Sequence, residues 1–404
     1  AVFHSESLAY ALAAPDRLPS SASGKAATAG PVAWVREALL ARDESTRAVS
    51  VQRFALWDEH LALRRARPTA MVMVELPQPR PAYVLTRGNY DAHGEAVTAG
   101  VPEELIAPWP KDAPPNRLGL ARWLTQPQHP LTARVVVNRF WAQLFGTGLV
   151  KTLEDFGSQS EWPSHPELLD RLARDFVDGG WDVKAFFRSL VLSSTYRQAS
   201  QAAPALIARD PENRLLARGP RLRLPAELLR DQALAVSGLL APRLGGPSVY
   251  PYQPDKLYVG LVVGANYPGT QWPQGTGEDL YRRSLYTFWK RTVPHPAMIT
   301  FDAPDREVCT VRRSRTNTPL QALALWNEPG YVEAARHLGT RMLREGGDTD
   351  ASRVAHGFRL ATGRRPEPAE VKVLTHALTR LRDDFAAHPE DAAAFLKVGA
   401  SPVD

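Results

Sequence analysis

In the first quarter of the chain the spacing of apolar positions changes. From Val32 to about Arg65 they recur with helical spacing: Trp34, Val35, Leu39 and Leu40, then Phe54, Leu56 and Leu61. Steps of three and four residues gather side chains on one helical face. The runs Thr69-Ala-Met-Val-Met-Val-Glu75 and Ala82-Tyr-Val-Leu-Thr-Arg87 are short and β-prone, and they flank the turn Pro77-Gln-Pro-Arg-Pro81. This pattern predicts a hairpin or two neighbouring strands. A third β-prone run, Arg283-Ser-Leu-Tyr-Thr-Phe-Trp-Lys290, is expected to join them, because a lone hairpin is marginal in water. Residues 1–30, rich in Ala, Ser, Pro and Gly, read as irregular, and five prolines between Gly100 and Pro115 read as a connector.

Beyond Asn116 the helical period dominates. Helices are expected at Leu118–Leu124, Thr132–Phe145, about His165 to Val177, Val183–Tyr196, Pro225–Leu240, Pro319–Trp326, Tyr331–Leu343, Ala351–Ala361 and Pro368–Phe385. Ser164-His-Pro-Glu167 has the form of a capping box, Gly179-Gly180 a stop, and Asp182 an N-cap for the stripe Val183, Phe186, Phe187, Leu190, Val191. The expected fold is mainly α, a multi-helix domain with a minor antiparallel β-sheet near residues 70–90 and 282–291 and long Pro/Gly/aromatic loops. Residues 1–115 are read as an N-terminal helical and hairpin segment with its Pro-rich linker, and residues 116–404 as a C-terminal helical domain.

Composition narrows the class. The 404 residues are 44% hydrophobic and 23% charged, ordinary values for a soluble globular chain. No apolar run approaches the length of a membrane span. The opening AVFHSESLAYALAAPDRLP lacks the basic and apolar regions of a signal peptide and reads like the middle of a longer protein. A single cysteine, Cys309, excludes an internal disulfide and a multi-cysteine zinc site, and no C-x-x-C-H is present to attach a c-type haem to this chain.

The net charge is +6, and 41 of the 49 basic residues are Arg. Between Leu280 and Arg315 eight basic residues (Arg282, Arg283, Lys290, Arg291, Arg306, Arg312, Arg313, Arg315) face three acidic ones, so this segment holds +5 of the net charge. Guanidinium forks bind carboxylate, sulfate or phosphate bidentately. The loop of residues 241–281 comes directly before, and its five tyrosines and one Trp argue for order and use.

Several short constellations invite chemistry. His129-Pro, His165-Pro and His295-Pro suggest a metal, but X-Pro dipeptides commonly mark turns and helix starts, and no metal site is expected. Asp155-Phe-Gly157 lacks the other kinase motifs and reads as a capped turn. No G-x-S-x-G surrounds Ser193, Ser194 or Ser237. Cys309 has Arg306, Arg312 and Arg313 nearby in sequence, against the commoner reading of a buried structural thiol. Asn138, Arg139 and Trp141 share a helix; Arg139 is expected to be a buried organiser of loop carbonyls, with a place for Asn138, Arg139 and Trp141 in a sugar cleft as the functional alternative. Glu227, Arg230 and Asp231 form a helical face that is either a salt-bridged surface or, through Glu227 and Asp231, a general acid/base pair.

Six strings stand in order along the chain: VNRFWAQLFGTGLVKTLEDFG, PSHPELLDRLARDF, GGWDVKAFFRSLVLSSTYRQAS, DPENRLLARGPRLRLPAELLRDQALAVSGLL, GGPSVYPYQP and RTNTPLQALALWNEP. Together, over about residues 116–375, they resemble the planctomycete-specific C-terminal domain known as domain of unknown function 1553. The stretch MVMVE…RPAYVLTRGNYDAHGEAVTAGVP resembles the tail of the cytochrome-associated domain of unknown function 1549 that precedes it. The resemblance implies an exported, extracytoplasmic (periplasmic or cell-surface) protein near polysaccharide-processing functions. It also implies a c-type haem on a separate N-terminal domain, with that cytochrome c domain as a partner. It supplies no catalytic residues.

Two functions are therefore expected to compete. In the first, the chain is an accessory or binding domain for an anionic polysaccharide. Tyr250, Tyr252 and Trp272 stack on sugar rings, and Arg282, Arg291, Arg312 and Arg313 pair with sulfate or carboxylate, with Arg139 and Trp141 contributing. In the second it is a glycan-active enzyme using Glu227, Asp231 and an Arg in an aromatic-lined cleft. Nucleic acid is set aside, because no recognised binding motif accompanies the basic charge.

Overall fold

Helix caps and apolar stripes, more than strands, shape the chain in a computed structural model that describes residues 45, 47–67, 70–103, 107–254, 257 and 271–403. Trp34, Val35, Leu39, Leu40, Tyr258 and Tyr267 lie outside the described residues. The chain divides into two compact units, Ala1–Ala99 and Gly100–Asp404.

The first unit contains helix α1 (Arg47–Ala66) and two strands, β1 (Ala82–Leu85) and β2 (His93–Val97). The strands pair antiparallel, Ala82 with Val97 and Leu85 with His93, with an irregularity between Tyr83 and Leu85. Tyr83 and His93 stack at 4.5 Å across the pair. The expectation of one sheet from residues 70–75, 82–87 and 283–290 is corrected here. The partner of β1 is the segment after it, not the one before. Gly88, at φ +78°, and the bonds Thr86 N–H to Ala92 O and Asn89 N–H to Thr86 O reverse the chain tightly. Residues 70–75 form no strand; the prolines that follow them hold the chain stiffly and donate no ladder bond.

The second unit is helical: α2 (Arg117–Leu124), α3 (Thr132–Phe145), α4 (Pro166–Asp178), α5 (Val183–Leu192), α6 (Pro204–Arg209), α7 (Ala226–Ser237), α8 (Pro296–Thr300), α9 (Pro319–Asn327), α10 (Pro329–Glu345), α11 (Asp350–Thr362), α12 (Pro368–Ala387) and α13 (Pro389–Leu396). The mainly α expectation holds. The three His-Pro dipeptides stand at or just before helix starts: His165 and His295 directly precede α4 and α8, and the His129 ring nitrogen accepts the Leu131 and Thr132 N–H groups ahead of α3. Asp182 caps α5, accepting from Ala185 N–H at 2.9 Å. Ser164 does not cap α4; its N–H and hydroxyl both turn to Leu149 O. Asp155 accepts the Gly157 N–H at 2.7 Å, the expected capped turn.

Two apolar cores form. In the first, the stripe Ala133, Val137, Trp141 and Phe145 of α3 meets Leu169, Ala173 and Phe176 of α4 and Phe186 and Leu190 of α5. The second gathers Ala226, Met298, Phe301, Ala303 and Tyr331 where α7, α8 and α10 meet. Residues 283–290 make no strand in this unit. Ser284–Tyr286 wind into a 3-10 turn, and Arg282 and Thr287 each make a single parallel bridge, to Ala241 and Val249.

Several shared motifs turn out to be packing devices. The Asn138 amide is buried and grips Val150 twice, donating to its carbonyl at 2.9 Å and accepting its N–H at 3.0 Å. Gly148 must lack a side chain, because a Cβ there would collide with that amide. In DPENRLLARGP, Asp210 accepts the N–H groups of Arg214 and Leu215, and Arg214 donates to the carbonyls of Gly148 and Leu149. The arginine that organises this turn is therefore Arg214. Arg139 is exposed with no bond among the described residues, which corrects the expectation of a buried Arg139. Trp141 is buried and stacks on Phe145 at 3.9 Å.

Candidate functional site

The α7 face is occupied by the fold. Arg230 donates to the carbonyls of Leu280 at 2.6 Å and Arg282 at 2.8 Å. Asp231 accepts the Ser284 N–H at 2.7 Å and stands 3.8 Å from Arg283. Glu227 pairs with Arg313 at 2.7 Å. Burial alone would raise the Glu227 carboxyl, but the Arg313 hydrogen bond and charge outweigh it and hold the group below its ordinary range. Both carboxylates thus fix neighbouring segments to α7 in this structure.

Arg282 is fully buried. Its guanidinium donates to the carbonyls of Pro247, Arg243 and Gly245, and it lies 3.9 Å over the Tyr286 ring. The structure thus places it inside the 243–247 turn, away from any surface. Tyr250 packs between Phe288, stacked at 5.0 Å, and the edge of Trp272, whose indole N–H donates to Pro251 O. Of the aromatic residues expected to offer open faces, Tyr250 and Trp272 pack on each other and on Phe288, and Tyr252 is interior.

Beneath that loop lies a cluster that neither periodicity nor motif spacing brought together. Glu333 of α10 is fully buried. It accepts the hydroxyls of Tyr252 and Tyr281, each at 2.9 Å, and the Ser401 N–H at 2.7 Å and hydroxyl at 2.6 Å. Burial would raise its carboxyl; the Ser401 bonds, then those from Tyr281 and Tyr252, reverse that and hold it low. Arg336 and His337 grip the same strap, Arg336 at the Ser401 and Pro402 carbonyls and both at the Ser401 hydroxyl. Gly399 has φ +94°, and a Cβ there would strike the Glu333 carboxyl. Glu328 caps α10 through the Tyr331 N–H at 3.0 Å, and burial pushes its carboxyl up. The cavity among Arg230, Tyr252, Tyr281, Glu328 and Glu333 has a volume of about 10 Å³, which fits one water but no sugar ring. A Glu amid the apolar run of α10 was the one signal in sequence that something buried must meet it.

What faces solvent is different. Asp302 accepts from Arg223 and from the N–H and hydroxyl of Thr316, and so ties the neck of a loop whose body, residues 305–315, is exposed throughout. Trp289 donates to Asp305 O at 2.9 Å, and Arg306 lies 4.2 Å over its ring. Arg291, Arg312 and Arg315 are exposed and make no hydrogen bond or ion pair among the described residues. Cys309 is exposed too, against the expectation of a buried thiol. The expected basic segment therefore splits: Arg282 is interior, Arg283 and Arg313 sit by acids, and Arg291, Arg312 and Arg315 reach water. Among the described residues no group of three or more His, Cys, Asp or Glu side chains is placed to hold a metal ion. Among the described residues no helix is long and apolar enough to cross a membrane.

Residues 116–378 match the family model described as PSD1, protein of unknown function (DUF1553). No curated protein and no solved structure matches the chain.

Proposed function

The chain belongs to the DUF1553 family of proteins of unknown function, and on that footing we propose that it is a non-catalytic binding module whose working surface is the exposed basic loop beside α9. The observation that carries this reading is the contrast between acids and arginines. Glu227 and Asp231 are held by Arg313, Arg283 and the Ser284 backbone, whereas Arg291, Arg312 and Arg315 face water unpaired among the described residues. An unpaired guanidinium fork retains its full capacity for a bidentate anion.

In its finer form, the ligand is a sulfated or carboxylated polysaccharide. The module acts in an exported, extracytoplasmic protein beside a cytochrome c domain that carries the haem. The resemblance of the six motifs supports that setting, and the free arginines support the anionic ligand. Titration calorimetry with a sulfated polysaccharide tests it. Affinity should fall as salt rises through the physiological range, because exposed charges are screened within about 8–10 Å. It should fall further in Arg291→Ala/Arg312→Ala. Salt-independent binding, or binding untouched by that double substitution, would refute the ionic surface.

A further inference from the structure

Helix α9 is built inside out. Its polar Gln321 points inward and is almost fully buried, donating to Thr300 O and the Thr316 hydroxyl at 3.0 Å each and accepting the Thr318 N–H. Ala324, one turn on, packs on the second core. Three apolar residues point the other way: Leu320, Leu323 and Trp326 are 66, 56 and 74% exposed, and Leu325, which flanks Gln321, is 46% exposed as well. Single exposed leucines are ordinary, but four large apolar side chains on a nine-residue helix are not. The loop leading into the helix adds exposed Val308 and Val311. Local order is not the reason for this arrangement, since Pro319 and the Thr318–Gln321 capping box would start the helix whatever its outer face carried.

We infer that α9 and the loop before it are the docking site for an acidic amphipathic helix of a partner protein. Charge selects the occupant. Arg312 and Arg315 precede the helix by seven and four residues, are exposed and lack an acid among the described residues. A partner that covers both the apolar residues of α9 and the loop leading into it meets these forks too, so it needs carboxylates flanking an apolar stripe. The tied neck at Asp302 and Thr316 keeps the loop beside the helix, so apolar and basic parts are presented together. The inference shares Arg312 and Arg315 with the proposed polysaccharide surface, but it stands on the apolar residues of α9, which the binding of polysaccharide does not require.

The lone cysteine gives the test. The full chain, labelled at Cys309 with an environment-sensitive dye, is titrated with 18-residue helical peptides bearing Leu on one face and Glu on the other. Matched peptides with Lys for Glu serve as controls. The Glu peptides should shift the dye emission and the Lys peptides should not. Leu323→Ser/Trp326→Ser should weaken binding by about tenfold or more, the scale of removing interface anchors. Arg312→Ala/Arg315→Ala should weaken it several-fold and flatten its salt dependence. Unchanged circular dichroism would show that each variant is folded. Equal response to both peptide sets, no response to either, or indifference to Leu323→Ser/Trp326→Ser would overturn the inference. So would concentration-dependent dimerisation abolished by that variant, because the occupant would then be a second copy. Retained polysaccharide binding in Leu323→Ser/Trp326→Ser separates this inference from the preceding proposal, so either can fail alone.

Discussion

Replacing Glu333 with Gln removes a charge from a carboxylate that receives four hydrogen bonds between 2.6 and 2.9 Å. A hydrogen bond to a charged group contributes about 1.5–3 kcal/mol, but bonds that share one carboxylate do not add. Gln keeps one acceptor oxygen and turns an N–H₂ group toward donors that wanted an acceptor. The expected loss is about 2–4 kcal/mol for Glu333→Gln and about 3–5 kcal/mol for Glu333→Ala, which leaves all four donors unmatched in the interior. Urea unfolding followed by tryptophan fluorescence would read this as a lower midpoint at unchanged slope. The pH dependence has a definite sign. The folded carboxyl lies below its ordinary value of 4.5, so its contribution is fully present above that value and fades as pH falls below it toward the folded pKa. The gap between parent and Glu333→Gln should therefore narrow in acid. A variant within about 0.5 kcal/mol of the parent at pH 7, or a gap that stays constant down to about pH 3, would refute the reasoning.

Three further outcomes are expected. Asn138→Ala strands the buried N–H and carbonyl of Val150 and should destabilise the second unit by about 2–4 kcal/mol in the same assay. Arg282→Lys loses the fork across three carbonyls and the stack on Tyr286, so a drop of about 1–3 kcal/mol in stability, together with faster proteolysis near residues 243–247, is expected. His295, buried and donating its Nε2–H to Tyr252 O at 2.7 Å, has its pKa driven by burial from 6.5 to about 4, so its unfolded form binds a proton first. Stability should thus decline as pH falls from about 6.5 to 4, by about 3 kcal/mol, and a shallower decline in His295→Gln would be seen by thermal melts across that window.

The helices were legible where local chemistry dictates them. Thr132–Phe145 follows from a four-residue apolar stripe and Gly146, and Val183 onward from the Asp182 cap. Short helices such as Pro204–Arg209 and Pro296–Thr300 carry too few residues to show a period. The strand expected at 283–290 failed for a physical reason. Asp231 captures the Ser284 N–H and Arg230 takes the Arg282 carbonyl, so groups that a ladder needs are already held by α7. The arginines near Leu280 were visible as charge, yet charge alone could not say which would be interior. Arg282 is distinguished from Arg291 only by carbonyls 35–39 residues earlier in the chain. The Glu333 cluster joins residues separated by 52, 68 and 81 positions, a distance over which no motif spacing is informative.

The strap that closes on Glu333 lies at residues 399–402, downstream of the family match, which ends at residue 378. A domain boundary drawn from similarity therefore cuts through a hydrogen-bond network. During synthesis α10 leaves the ribosome more than fifty residues before Ser401 does, so the Glu333 carboxylate waits with only its tyrosine donors until the strap arrives. Recombinant fragments trimmed to the matched span would carry that intermediate permanently, with an interior acid lacking two of its four donors and a Tyr252 hydroxyl lacking its Ala400 N–H. Such fragments should be poorer folders than the family boundary suggests, and the remedy is some twenty-five additional residues rather than a change of host or buffer.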